Sequence, residues 1–194
     1  MTQEELLRRR PVWAAMRELF LDTETRWSVP SVARCCAVSG YDDDALERLF
    51  WAEVFPEAIG NLTQVAGEWT GLAVDEQALI NRANHGTIPW LTRRAHGALV
   101  QKSWQAARQV TAWLRGLPEG ERDARVTALD LLGRRYFEGR ARESLVATPQ
   151  AMRSVLDIAR EEWGRYEPVC LAMSNHDEAE AAAYSAAVRA LLQG

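Results

Sequence analysis

Lysine is almost missing from this chain. Lys102 is the only one, and every other basic residue among the 23 is an arginine. With the abundance of alanine, this points to a GC-rich bacterial genome more than to a physical demand. Cysteine is scarce as well: Cys35, Cys36 and Cys170 are odd in number and two are adjacent. That excludes an obvious disulfide framework or a zinc spacing and favours small hydrophobes on buried helix faces. The three histidines, His85, His96 and His176, lie far apart. No two of them are four residues apart, as a two-histidine zinc site on a helix needs, so structural or solvent roles are expected. No apolar run approaches the ~18 residues of a membrane span. The start, Met-Thr-Gln-Glu-Glu, lacks a basic-then-apolar leader. A cytoplasmic location is therefore expected. No nucleophile, metal-ligand or phosphate-loop motif occurs, so no catalytic residue, metal or cofactor is assigned.

What is present suits a globular body. Of 194 residues, 47% are apolar and 26% charged, with a net charge of -4. Nucleic-acid binding usually wants a net basic domain or stripe. The local clusters Arg8 to Arg10, Arg93-Arg94, Arg134-Arg135, Arg140 and Arg142 mostly have acids interleaved, so they read as solvated helix faces and internal ion pairs.

The apolar period is helical, and strand-like alternation is scarce. Thr2 and Glu5 form a capping-box pattern ahead of a short helix, and Pro11 suits the first turn of a second one. Trp13, Met16, Leu19 and Phe20 share a face of that second helix, which should end near Leu21 to Thr23. A helix from Pro30 stops at Gly40, and Asp42 caps the next, whose stripe is Leu46, Leu49, Phe50 and Val54. Pro56 should end or kink it. Asp75 can cap a helix that closes at Asn84-His85-Gly86. One amphipathic pattern then spans Pro89 to Arg115, carried by Leu91, Ala95, Ala98, Leu99, Ala106, Val110, Trp113 and Leu114. Further helices are expected at about 121 to 137, from Thr148-Pro149 to Pro168, and from Asp177 to Leu192. The expectation is an all-α compact bundle of eight or nine helices without a sheet. A soft boundary near Gly86-Thr87 would divide an N-terminal domain, 1–86, from a helical region, 87–194, packed against it.

Arg9-Arg10-Pro-Val-Trp13, Leu19-Phe-Leu-Asp-Thr-Glu24, Ser39-Gly-Tyr41, Glu53-Val-Phe-Pro56, Asn61-Leu62 and Val65-Ala-Gly-Glu-Trp69 stand in this order. Together they resemble a bacterial family known only as a domain of unknown function. The resemblance covers about residues 8–90, the first 45% or so of the chain. It implies a small α-helical fold and no reaction.

Asp22, Glu24, Glu53, Glu57 and Glu68 are acids placed among bulky apolar residues. Converging, they could hold a divalent metal or run acid–base chemistry. The heavier reading is structural: they cap helices or pair with Arg9, Arg10 and Arg48. Asp22, Glu24, Glu53, Asn61, Glu68 and Trp69 are accordingly assigned to a structural polar motif. Asp42, Asp43, Asp44 and Glu47 form the densest acidic patch, half capping and half offered to a basic partner. Of the eight tryptophans, Trp27 and Trp90 sit in or beside connections and are the ones expected to be exposed. These six residues are the expected partner-binding set.

The leading expectation is a protein-binding module, most concretely an immunity protein or antitoxin that occludes a basic bacterial toxin. A metal-dependent or acid–base enzyme using the N-terminal carboxylates is the first alternative. A helical nucleic-acid regulator using Arg93, Arg94, Arg134 and Arg135 is the second. Membrane and small-molecule partners are not expected.

Overall fold

The computed structural model describes residues 1–20, 28–60, 76–127 and 186. Its described part is built from helices alone, as the periodicity predicts. Helix α1 (Gln3–Arg17) begins at Thr2, whose hydroxyl accepts the Glu5 backbone N–H at 3.2 Å. The Glu5 carboxylate does not close a capping box; it turns forward to Arg9. Pro11 does not divide two helices but lies inside α1. An internal proline costs about 3 kcal/mol through its lost donor and ring clash. Burial of Val12, Trp13 and Met16 on the same helix offsets that cost. The α-helix also stops sooner than the pattern suggests. After Arg17 the chain tightens into a 3-10 turn, Glu18–Phe20, which drives Leu19 and Phe20 into the core.

Helix α2 (Val29–Val38) has proline in its first turn, where no donor is lost. The chain leaves it through Gly40 at φ +73°, a left-handed conformation that a side chain would strain. Helix α3 (Asp43–Arg48) is capped by Asp42, whose Oδ1 accepts the Ala45 N–H at 2.7 Å. Pro56 does not stop the helical course there. Instead the helix widens into a π segment, Leu49–Val54, and continues as α4 (Phe55–Ala58). The cause is local. Pro56 has no N–H to offer Ala52, and its ring would collide with that carbonyl. In the wide turn Phe55 donates five residues back, to Phe50, and the crowding is relieved.

Helix α5 (Glu76–His85) is followed by α6 (Trp90–His96) and α7 (Ala98–Arg115). Gly97 separates the last two yet keeps helical dihedrals, φ −60° and ψ −30°. The pattern expected as one helix from Pro89 is thus two helices. Residues 119–127 are helical again after Pro118.

Helix α7 lies along α2, and the π segment joins α1, α3, α4 and α5. The core centres on aromatic rings. Phe50 stacks on Trp104 with centroids 4.2 Å apart and planes 1° from parallel, and meets Phe20 at 5.5 Å. Trp51 meets Phe50 edge-on at 4.8 Å and Phe55 at 5.0 Å. One apolar cluster runs from Val12 to Leu117. It crosses the Gly86-Thr87 position, so both sides of that expected boundary contribute to the same interior.

Candidate interaction site

The sequence places Glu53 among Trp51, Val54 and Phe55, and the π segment turns its side chain inward. Glu53 is 5% exposed. One carboxylate oxygen accepts the Trp13 indole N–H at 2.7 Å, and the other accepts from Arg9. Arg9 also reaches the Glu5 carboxylate at 2.6 Å. Both Glu53 oxygens are therefore occupied by donors from α1. Burial alone would lower the Arg9 pKa, but the hydrogen bonds from Glu53 and Glu5 reverse this and hold it above its ordinary value. The Glu5 carboxyl is held below its ordinary value, first by its hydrogen bond to Arg9. A charge taken out of water needs such partners. This arrangement ties α1 to the π segment through a donor on each Glu53 oxygen.

The acidic ridge is also largely committed inward. Asp42 caps α3. Asp43 accepts from Arg115, and Arg115 also donates to the Tyr41 carbonyl. Glu47 accepts from Trp104 Nε1 at 3.2 Å and from Arg108. Asp44 is exposed and has no partner among the described residues. The ridge is thus mainly the seam between α3 and α7.

The other end of α7 differs. Trp90 is 64% exposed, and so is Leu91; Leu99 is 58% and Ile88 41% exposed. Ala95 and Ala98 are exposed as well. Trp90, Leu91, Arg94 and Ala95 are thus exposed on α6, and Ala98, Leu99 and Lys102 on the first turns of α7. The amphipathic pattern read from Pro89 to Arg115 is right for the second half of α7 and wrong for its beginning. Leu91, Ala95, Ala98 and Leu99 point outward, while Val100, Ser103, Trp104, Ala107, Val110, Thr111 and Leu114 are buried.

Arg93 lies against the core side of α6, its guanidinium 4.0 Å from the Trp51 ring centroid. Stacking on a ring removes it from any phosphate-facing stripe. Arg94 is exposed. Glu57 binds Arg82 at 2.8 Å. Cys36 is buried, and burial pushes its thiol up to about 12, with neighbouring Cys35 adding to the shift and Arg115 opposing it. The Cys35 thiol is raised too, chiefly by burial. Neither is a ready thiolate at neutral pH. Among the described residues no group of three or more His, Cys, Asp or Glu could hold a metal ion. No described helix is long and apolar enough to cross a membrane. Asp22, Glu24, Trp27, Asn61, Glu68 and Trp69 lie outside the described residues, as do Arg134 and Arg135.

Comparison with known proteins yields one match. No curated protein and no solved structure matches the chain. The sequence pattern of one family, the domain of unknown function DUF7079, matches residues 7–115. It runs from within α1 to the end of α7 and so takes in the Trp13–Glu53 tie, the acidic ridge and the exposed apolar residues of α6 and α7 alike. The chain belongs to that family, DUF7079.

Proposed function

We propose that this chain is a bacterial, cytoplasmic protein–protein interaction module that meets its partner through the outward face of α6 and the start of α7. The most concrete form is an immunity protein or antitoxin that occludes the active surface of a toxin. The observation that carries the reading is Trp90, a large aromatic left 64% exposed when Trp13, Trp51 and Trp104 are packed away. Tryptophan is among the residue types enriched at binding hot spots. Scattered single apolar residues are normal on a surface; here Ile88, Trp90, Leu91 and Leu99 are all exposed within twelve positions of sequence. The commitment of both Glu53 oxygens to Trp13 and Arg9 weighs against a reaction centre built on that acid.

The test is co-expression with the product of the adjacent gene. A stoichiometric complex, together with rescue of growth when that product is toxic, supports the reading. Absence of both a complex and rescue contradicts the immunity form. A complex unaffected by Trp90→Ala contradicts the surface.

A further inference from the structure

Helix α6 is fastened to the molecule unlike its neighbours. Helix α5 buries Leu79, packs Ile80 and Ala83 against the core and pairs Arg82 with Glu57. Helix α7 buries eight residues along its length. Helix α6 buries none, and its apolar residues Trp90, Leu91 and Ala95 are all exposed. Among the described residues no side chain of α6 makes an ion pair or a hydrogen bond. Its one directed side-chain contact there is Arg93, whose guanidinium lies 4.0 Å from the Trp51 ring centroid. Trp51 is buried and held between Phe50 and Phe55. Both ends of α6 are free to turn. Residues 86–89 ahead of it are not helical. Behind it the helical ladder is interrupted: α6 ends at His96, α7 starts at Ala98, and Val100 donates to Gly97, three residues back, at 3.2 Å. Gly97 has no side chain to resist a change of backbone angles.

We infer that α6 is a strap that lifts off the body as one unit, turning about Gly97, with Arg93 on Trp51 as its latch. A segment with few buried apolar contacts opens locally at far lower cost than the core it borders. Hinges are a few element-terminal residues that absorb the backbone change, and Gly97 stands at such a terminus. The latch has a suitable strength. Cation–π attraction is strongest over tryptophan, yet one such contact is weaker than the summed burial that holds α5 and α7. Release bares the Trp51 ring face that Arg93 covers. It also carries Trp90 and Leu91 away from the body. This motion is independent of the partner reading, since α6 can lift whether or not Trp90 meets a protein.

Native-state hydrogen exchange, followed by NMR on the full chain at low urea, tests the strap. The amides of Arg93 to Gly97 should open together, with one shared opening equilibrium and one shared urea dependence. Their protection should lie at least about a hundredfold below that of Trp104 to Leu114 in α7. Arg93→Ala should speed exchange across α6 by about fivefold and leave α7 unchanged. Arg93→Lys keeps the charge but loses the flat stacking group, so its effect should fall between. In a Trp51→Phe background the effect of Arg93→Ala should shrink, because the two residues share one contact. Protection in α6 equal to that in α7 means that α6 opens only with the whole molecule, and overturns the strap. Rates graded from one end of α6 mean fraying, and overturn motion as a unit. An Arg93→Ala effect that is absent, that spreads equally to α7, or that persists undiminished beside Phe at position 51 overturns the latch.

Discussion

Glu53 is the residue on which the interior most depends, because it is a buried charge with donors on both oxygens. Removing one partner of a buried pair strands the other, at about 3–5 kcal/mol. Arg9 keeps some access to water, with a side-chain exposure of 16%, which argues for the lower end. Glu53→Ala should therefore lose about 3 kcal/mol of stability in urea denaturation. Glu5 supplies a pH test. Its carboxyl is depressed by the hydrogen bond to Arg9, so the stability it contributes is present above its ordinary value of 4.5 and is lost as pH falls below it. Glu5→Gln should be less stable than the parent at pH 7, and the difference should shrink as pH falls through the carboxyl's depressed value. A difference that persists in acid would mean that the contribution is not ionic. Cys36, buried with its thiol pushed up to about 12, should react with a thiol reagent at pH 8 only as fast as the protein opens. Rapid labelling of Cys36 in the native protein would contradict its place in the core.

The instructive element is the helix that changes pitch. The sequence at Pro56 signals an end or a kink, and a local rule has no means of anticipating that the chain would widen at Leu49–Val54 and carry on. The packing against α1, α3 and α5 supplies the reason, since an interrupted helix would leave Phe50, Trp51 and Val54 without their neighbours. Gly86 belongs to the same device. A Cβ there would press on the Arg82 carbonyl and come within 3.1 Å of the Ala52 carbonyl. Both contacts are backbone and yield little, so Gly86→Ala should cost about 1–3 kcal/mol, read as a lower thermal midpoint. An unchanged midpoint would place Gly86 outside the packing. Capping was legible from sequence: Thr2, Asp42 and Gly40 act where their chemistry predicts, because a cap is decided within four residues. Pro11 and Pro56 were not, because tertiary burial outweighs a single missing donor.

For the molecule as a whole, the all-helical class was legible and the outward face only partly so. Trp90 stood out because it adjoins Pro89, while Leu91 and Leu99 fit a helical period and so resembled core. The distinction lies in which turn of α7 meets α2, and that is settled by contacts distant in sequence. The interior and the outward face should separate cleanly under mutation. Trp104→Ala removes a ring stacked on Phe50 and bonded to Glu47, and should cost about 3–5 kcal/mol. Trp90→Ala should change stability by no more than about 0.5 kcal/mol, as exposed positions do. The most direct measurement is calorimetric titration of the Trp90→Ala chain with the partner identified by co-expression, alongside its thermal midpoint. The prediction is an affinity at least about tenfold weaker at an unchanged midpoint. An unchanged affinity, or a loss of affinity that only accompanies a fall in the midpoint, would contradict a functional surface at this corner.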